Sequence, residues 1–98
     1  MSPAITAAIR NRQVIRLDYE PGARLIEPHC LGYSSEGNQL LRAFQRSGAS
    51  ASHESVDWKL FRVDRIRSLS VSEEQFDGPR PGYNPADQIM KGGIIACL

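Results

Sequence analysis

Ninety-eight residues make one domain with a thin core, since a chain of this size buries only about two thirds of its unfolded surface. Hydrophobic residues at 41% and charged residues at 23% are ordinary for a globular protein, and no apolar run reaches the roughly 20 residues needed to cross a bilayer. A net charge of +1 excludes the strongly basic footprint of a dedicated duplex-DNA binder.

That balance hides two asymmetries. Ten of the twelve basic residues are arginine, the side chain best suited to bidentate phosphate contacts and to stacking on flat rings. Up to Arg67, ten basic residues face seven acidic ones; beyond it, Arg80 and Lys91 face Glu73, Glu74, Asp77 and Asp87. The opening Met1-Ser2-Pro3-Ala4 has no basic segment leading into an apolar stretch, so no signal peptide is expected. Two widely separated cysteines in such a chain predict reduced thiols and a cytoplasmic protein.

Ser2 is placed to cap a helix with Pro3 at its first position, and Ile5, Ala8 and Ile9 recur at helical spacing. From Val14 the period becomes two. Ile15, Leu17 and Tyr19 alternate with Arg16 and Asp18, as in a half-buried strand. Pro21-Gly22 marks a turn, and Leu25-Ile26 resumes the apolar pattern up to Pro28, an edge or a bend. After the turn at Ser34 to Asn38, the stretch Leu40 to Arg46 predicts a third strand, with Leu41 and Ala43 on one side and Leu40, Arg42, Phe44 and Arg46 on the other.

Residues 47–55 are rich in Ser, Ala and Gly and predict a mobile loop. Val56 to Val63 predicts a fourth strand, and Asp64-Arg65 a tight connection into a fifth, Ile66 to Val71. Short strands at close intervals argue for a small barrel. Beyond Phe76 turn formers dominate, and the apolar end, Ile94 to Leu98, comes after a Gly92-Gly93 hinge. Such an end is expected to dock on its own barrel or to pair with a second copy.

The order of these blocks resembles the WYL-domain family. The resemblance covers residues 5–76. It rests on Ile9, Tyr19, Arg24, Pro28, Leu41 and Ala43, and most of all on Phe61-Arg62, Asp64-Arg65-Ile66. Where that family carries its Trp-Tyr-Leu signature, this chain has Gln39-Leu40-Leu41. No helix-turn-helix segment stands before the matched blocks, so the resemblance describes a divergent, stand-alone member. It implies a mainly β fold: a five-stranded, bent, antiparallel Sm-like or SH3-like barrel over residues 1–76, with a short N-terminal helix and an irregular C-terminal tail, 77–98. It also implies a sensor of an anionic ligand, a nucleotide or short single-stranded nucleic acid, reporting to a separate DNA-binding or effector protein in transcription regulation. Carried over by position, Tyr19, Arg24, Arg42, Arg62 and Arg65 would lie on or near the ligand surface, with Phe44 beside them as a stacking ring.

Other readings of the same residues stand beside this one. Arg42 and Arg62 can instead pair with Asp18, Glu27, Asp57 or Asp64 across strands, with Phe44 in the core. Tyr19 suits a barrel rim, with an apolar body and a wet tip. His29, Cys30, His53 and Cys97 match no metal-ligand spacing. No nucleophile, acid or base is visibly activated, so neither an enzyme nor a cofactor is expected. The alternative function is a non-catalytic interaction module that builds a homo-oligomer through its apolar tail.

Overall fold

A computed structural model describes all of residues 1–98. The chain begins with helix α1 (Ser2–Asn11), which turns Ile5, Ala8 and Ile9 fully inward. Ser2 does not cap it. The cap is Met1, and the Ser2 hydroxyl instead accepts a hydrogen bond from Gln39 Nε2 at 2.9 Å, which ties the helix to the sheet. The helix stops at Arg12, whose left-handed conformation (φ 53°) lets its N–H reach back to the carbonyls of Ala8 and Ile9.

Six strands complete the fold: β1 (Gln13–Tyr19), β2 (Gly22–Tyr33), β3 (Gln39–Gly48), β4 (Asp57–Arg62), β5 (Ser68–Gln75) and β6 (Gly93–Cys97). A 3₁₀ turn, Val63–Arg65, makes the tight connection between β4 and β5. All pairings are antiparallel, in the order β4-β3-β2-β1-β5. β2 is long enough to hold two partners end to end on one edge. Its first half pairs with β1 (Ile15 opposite Ile26) and its second half with β6 (Leu31 opposite Ala96).

Two sequence expectations change here. The sheet is bent but not closed, because β4 and β5 are not paired with each other, so "barrel" is a loose description. The tail is not wholly irregular, because its last residues form β6 on the chain's own β2. The pairing also corrects the thiol reading. Cys30 and Cys97 stand opposite one another in the β2–β6 register and are joined as a disulfide across 67 residues of chain.

The core lies between α1 and the concave face of the sheet. Ile15 and Leu17 from β1, Ile26 and Leu31 from β2, Leu41 and Ala43 from β3, and Phe61 from β4 meet Ile5 and Ile9 there. Ala96 of β6 joins them. The alternation that buries Leu41 and Ala43 sends Leu40, Arg42, Phe44 and Arg46 to the opposite, outer face. A smaller apolar cluster of Cys30, Leu40 and Met90 forms on that side.

Candidate functional site

The outer face of β2, β3 and β4 gathers the chemistry. Cross-strand register sets Glu27 opposite Phe44, Phe44 opposite Trp58, and Leu40 opposite Arg62. Residues 77–91 run over this face and end at β6. They bring Arg80, Tyr83 and Asp87 down onto it.

At one end, the Glu27 carboxylate is 1% exposed and held by two arginines. Arg80 donates Nε and a terminal nitrogen to its two oxygens at 2.7 and 2.8 Å, and Arg46 donates two nitrogens to Oε2 at 3.1 and 2.9 Å. Burial alone would push the Glu27 pKa up. The Arg80 and Arg46 hydrogen bonds and charges outweigh it and hold the carboxyl below its ordinary range. Arg46 also reaches Glu74, and the Arg80 guanidinium sits 4.6 Å above the Phe44 ring. Beside these groups lies an open cleft of about 520 Å³.

In the middle, His29 is fully buried among aromatic rings. Trp58 lies edge-on at 4.7 Å, Tyr83 is angled at 5.1 Å, and Phe76 stacks at 5.6 Å. Its Nε2 accepts the Arg80 N–H at 3.1 Å, and its Nδ1 lies 2.8 Å from the Glu27 carbonyl oxygen. An acceptor at Nε2 and a donor at Nδ1 define the neutral Nδ1–H tautomer. Burial lowers the His29 pKa against the raising pull of Glu27. Nearby, Trp58 stacks on Tyr83, and Arg42 donates Nε to Asp87 at 2.8 Å.

The six residues singled out from sequence divide into groups. Arg42, Phe44 and Arg62 share the outer face. Arg62 is tied to Asp64 (2.7 Å) and Asn38 (3.3 Å). Tyr19 and Arg24 lie at the rim of the inner face, with Arg24 buried against the Tyr19 and Phe61 rings at 5.2 and 5.5 Å. The Tyr19 hydroxyl accepts the Arg62 N–H at 3.2 Å, which connects the two sides. Arg65 is exposed on the 3₁₀ turn. Of the ion pairs foreseen for the arginines, Arg62–Asp64 forms, while Arg42 takes Asp87 instead of a strand partner.

Sequence reasoning passed over His29, Arg80, Tyr83 and Asp87 as site residues. His29 stood in a buried-looking strand with no ligand spacing. Asp87 lies 45 residues from Arg42 and Arg80 lies 53 residues from Glu27, with nothing local to signal either contact. Tyr83 sits in a stretch of turn formers, far in sequence from the strand that carries Trp58. No group of three His, Cys, Asp or Glu side chains converges in a way that could hold a metal ion.

This small, mainly β domain thus gathers arginine guanidinium groups and aromatic rings on one sheet face, beneath residues 77–91. A family model of the WYL domain matches residues 2–71, and the chain belongs to that family. WYL domains are generally ligand-sensing, non-catalytic regulatory domains of transcription regulators. No characterised protein and no solved structure gives a significant match. The match ends within β5, so Arg80, Tyr83, Asp87 and β6 lie outside it. No helix is long and apolar enough to cross a membrane.

Proposed function

We propose that this domain senses a nucleotide or a short single-stranded nucleic acid on the outer face of β2–β4 and reports its occupancy to a DNA-binding or effector partner in transcription regulation. The carrying observation is the outward alternation of Arg42, Phe44 and Arg46 on β3, with Trp58 and Arg62 beside them on β4. Arginine forks take phosphate oxygens in pairs, and a neighbouring ring stacks on a base. In this reading Arg42, Phe44 and Arg62 contact the ligand. Tyr19 and Arg24 support the Arg62 end from the inner side, and Arg65 adds an exposed cation at the edge. The test is fluorescence-polarisation binding of labelled single-stranded DNA and RNA, with mono- and cyclic nucleotides as competitors, across a salt series. Affinity should fall steeply with salt and vanish in an Arg42→Ala, Arg62→Ala double variant. Binding that is unchanged in that variant would sink the reading.

A second reading rests on β6. Its outer edge is unpaired, and Ile94 and Ile95 are 51% and 36% exposed, so a second copy could add its strand there. Light scattering of the protein and an Ile94→Lys variant decides it. A monomeric mass for both removes the basis for assembly through the tail.

A further inference from the structure

The tail makes the contacts that the proposed ligand would make. Tyr83 lays its ring on Trp58 with the planes 20° apart, where a base would stack. Asp87 sets a carboxylate on Arg42, where a phosphate oxygen would sit. Both line one cleft of about 210 Å³ together with Arg42 and Trp58, so a ring and an anion are offered to a stacking surface and a guanidinium at once. Gly82, at φ 90°, lets the backbone come close: a Cβ there would lie 3.3 Å from the Trp58 indole nitrogen, which donates to the Pro81 carbonyl at 3.1 Å.

The segment is held by side chains more than by backbone pairing. Residues 77–91 make no backbone–backbone hydrogen bond to β1–β5; the backbone anchorage begins where the Gly92 N–H meets the Tyr33 carbonyl at 2.8 Å and the Gly93 N–H meets the Met90 carbonyl at 3.1 Å. Besides those side chains, the segment is held by the Arg80 N–H on His29 and by the anchorage of β6 at its C-terminal end. There, Cys97 of β6 is joined to Cys30. Leu98 closes the end, its N–H on the His29 carbonyl at 2.8 Å and its own carbonyl accepting from the Tyr83 hydroxyl at 3.3 Å. Segments with few backbone bonds open more readily than strands; here buried Met90 and the Arg80–Glu27 pair set the cost of opening, and a cross-link at the far end limits how far the segment moves.

We propose that residues 77–98 are a strap that occupies the binding face from within the chain and competes with the ligand, and that the Cys30–Cys97 disulfide is the clasp that keeps it shut. This is regulation of the face assigned above and rests on that reading. A dithiol reductant gives the disulfide two electrons and two protons, leaving two thiols here and an oxidised dithiol. β6 then stays on β2 by backbone pairing and the burial of Ala96, without the covalent link, and the open state gains population. A face that is closed nine-tenths of the time binds about tenfold more weakly than an open one.

The molecule carries its own reporter, since Trp58 is the sole tryptophan and lies under the strap. Acrylamide quenching of Trp58 tracks opening without any ligand, and polarisation of a labelled oligothymidylate tracks binding. Both are measured on the oxidised protein, on the dithiol-reduced protein, on Cys97→Ser, and on an oxidised Tyr83→Ala, Asp87→Asn variant, which loosens the strap without touching the thiols. The expected result is more accessible Trp58 and about tenfold tighter binding in the last three. If Trp58 stays equally shielded after reduction and in Cys97→Ser, the clasp is refuted. If Trp58 opens while a measurable affinity stays the same, the strap does not cover the binding surface, and the nucleotide reading survives without it. If Trp58 opens and no form binds any oligonucleotide or nucleotide, the nucleotide reading fails and this inference fails with it.

Discussion

Glu27 and Arg80, 53 residues apart, form a two-point ion pair in which the carboxylate is buried and the guanidinium is partly open to water. The asymmetry sets what each substitution costs. Glu27→Gln leaves two arginines that can turn toward solvent. It loses the charge-assisted bonds without stranding a charge in the interior, at a cost of about 1–3 kcal/mol. Arg80→Ala keeps Arg46 on the buried carboxylate and should cost less than removing both arginines together, which strands Glu27 and falls in the range of about 3–5 kcal/mol. Urea midpoints at constant m-value measure all three. An additive double variant would show that the two arginines do not share the carboxylate as one network.

His29 gives the fold a pH dependence of defined sign. Its folded pKa lies below the ordinary 6.5, so below pH 6.5 the unfolded chain takes up a proton that the native state resists. Stability is therefore full above 6.5 and is lost as pH falls from there toward the lower native value. The groups facing the imidazole are the Glu27 carboxylate and Arg80, with the Trp58, Phe76 and Tyr83 rings around it. Glu27, also lowered, adds a second loss below its ordinary 4.5. Thermal melts from pH 7.5 to 5 should show a falling midpoint that is flattened in His29→Gln. An equally steep slope in that variant would place the sensitivity elsewhere.

Legibility in the sequence depended on which interactions are local. β1 and β3 could be read because one face of each is buried, so apolar residues recur at period two: Ile15 with Leu17, Leu41 with Ala43. Arg62 with Asp64 could be read because the two lie two positions apart. β5 starts at Ser68 rather than Ile66, because Ile66 is the buried end of the 3₁₀ turn and the Ser-Glu-Glu-Gln end of the strand shows no apolar period. β6 is five residues long and starts on the second glycine of Gly92-Gly93, too short for periodicity, and its partner strand is remote in sequence. The 67-residue separation likewise hid the cysteine pair. The outward alternation of Arg42, Phe44 and Arg46 was visible as a pattern on β3, but the Asp87 carboxylate and the Tyr83 ring that cover Arg42 and Trp58 came from a stretch whose composition signals only turns.

Gly32 provides a steric handle on the tail. A Cβ there would stand 2.5 Å from the Gly93 carbonyl oxygen and 2.9 Å from the Met90 sulfur. The sulfur can swing away, but the carbonyl belongs to the β2–β6 pairing. Gly32→Ala should push the start of β6 off β2 while the α1–sheet core stays intact. The expected result is faster amide exchange at Gly92 and Ile94 with unchanged protection at Leu41. Unchanged exchange throughout would mean that β6 accommodates the methyl by sliding.

Arg24 is a buried guanidinium with no carboxylate partner. It donates to the backbone carbonyls of Tyr19 and Glu20 and lies over the Tyr19 and Phe61 rings. Burial depresses its pKa, and the site keeps its charge through the fork on two carbonyls and the ring faces. Arg24→Met fills the same space but leaves both carbonyls without their donor, so a loss of about 1–3 kcal/mol is expected. Arg24→Lys restores the charge without the fork geometry and should recover only part of it. The effect extends to the outer face through Tyr19, whose hydroxyl holds the Arg62 N–H. Oligonucleotide affinity should therefore weaken in Arg24→Met, and Tyr19→Phe should reproduce that weakening with a smaller loss of stability. If Tyr19→Phe binds as tightly as the parent protein, the link between the two sides of the sheet carries no function, and Arg24 serves the fold alone.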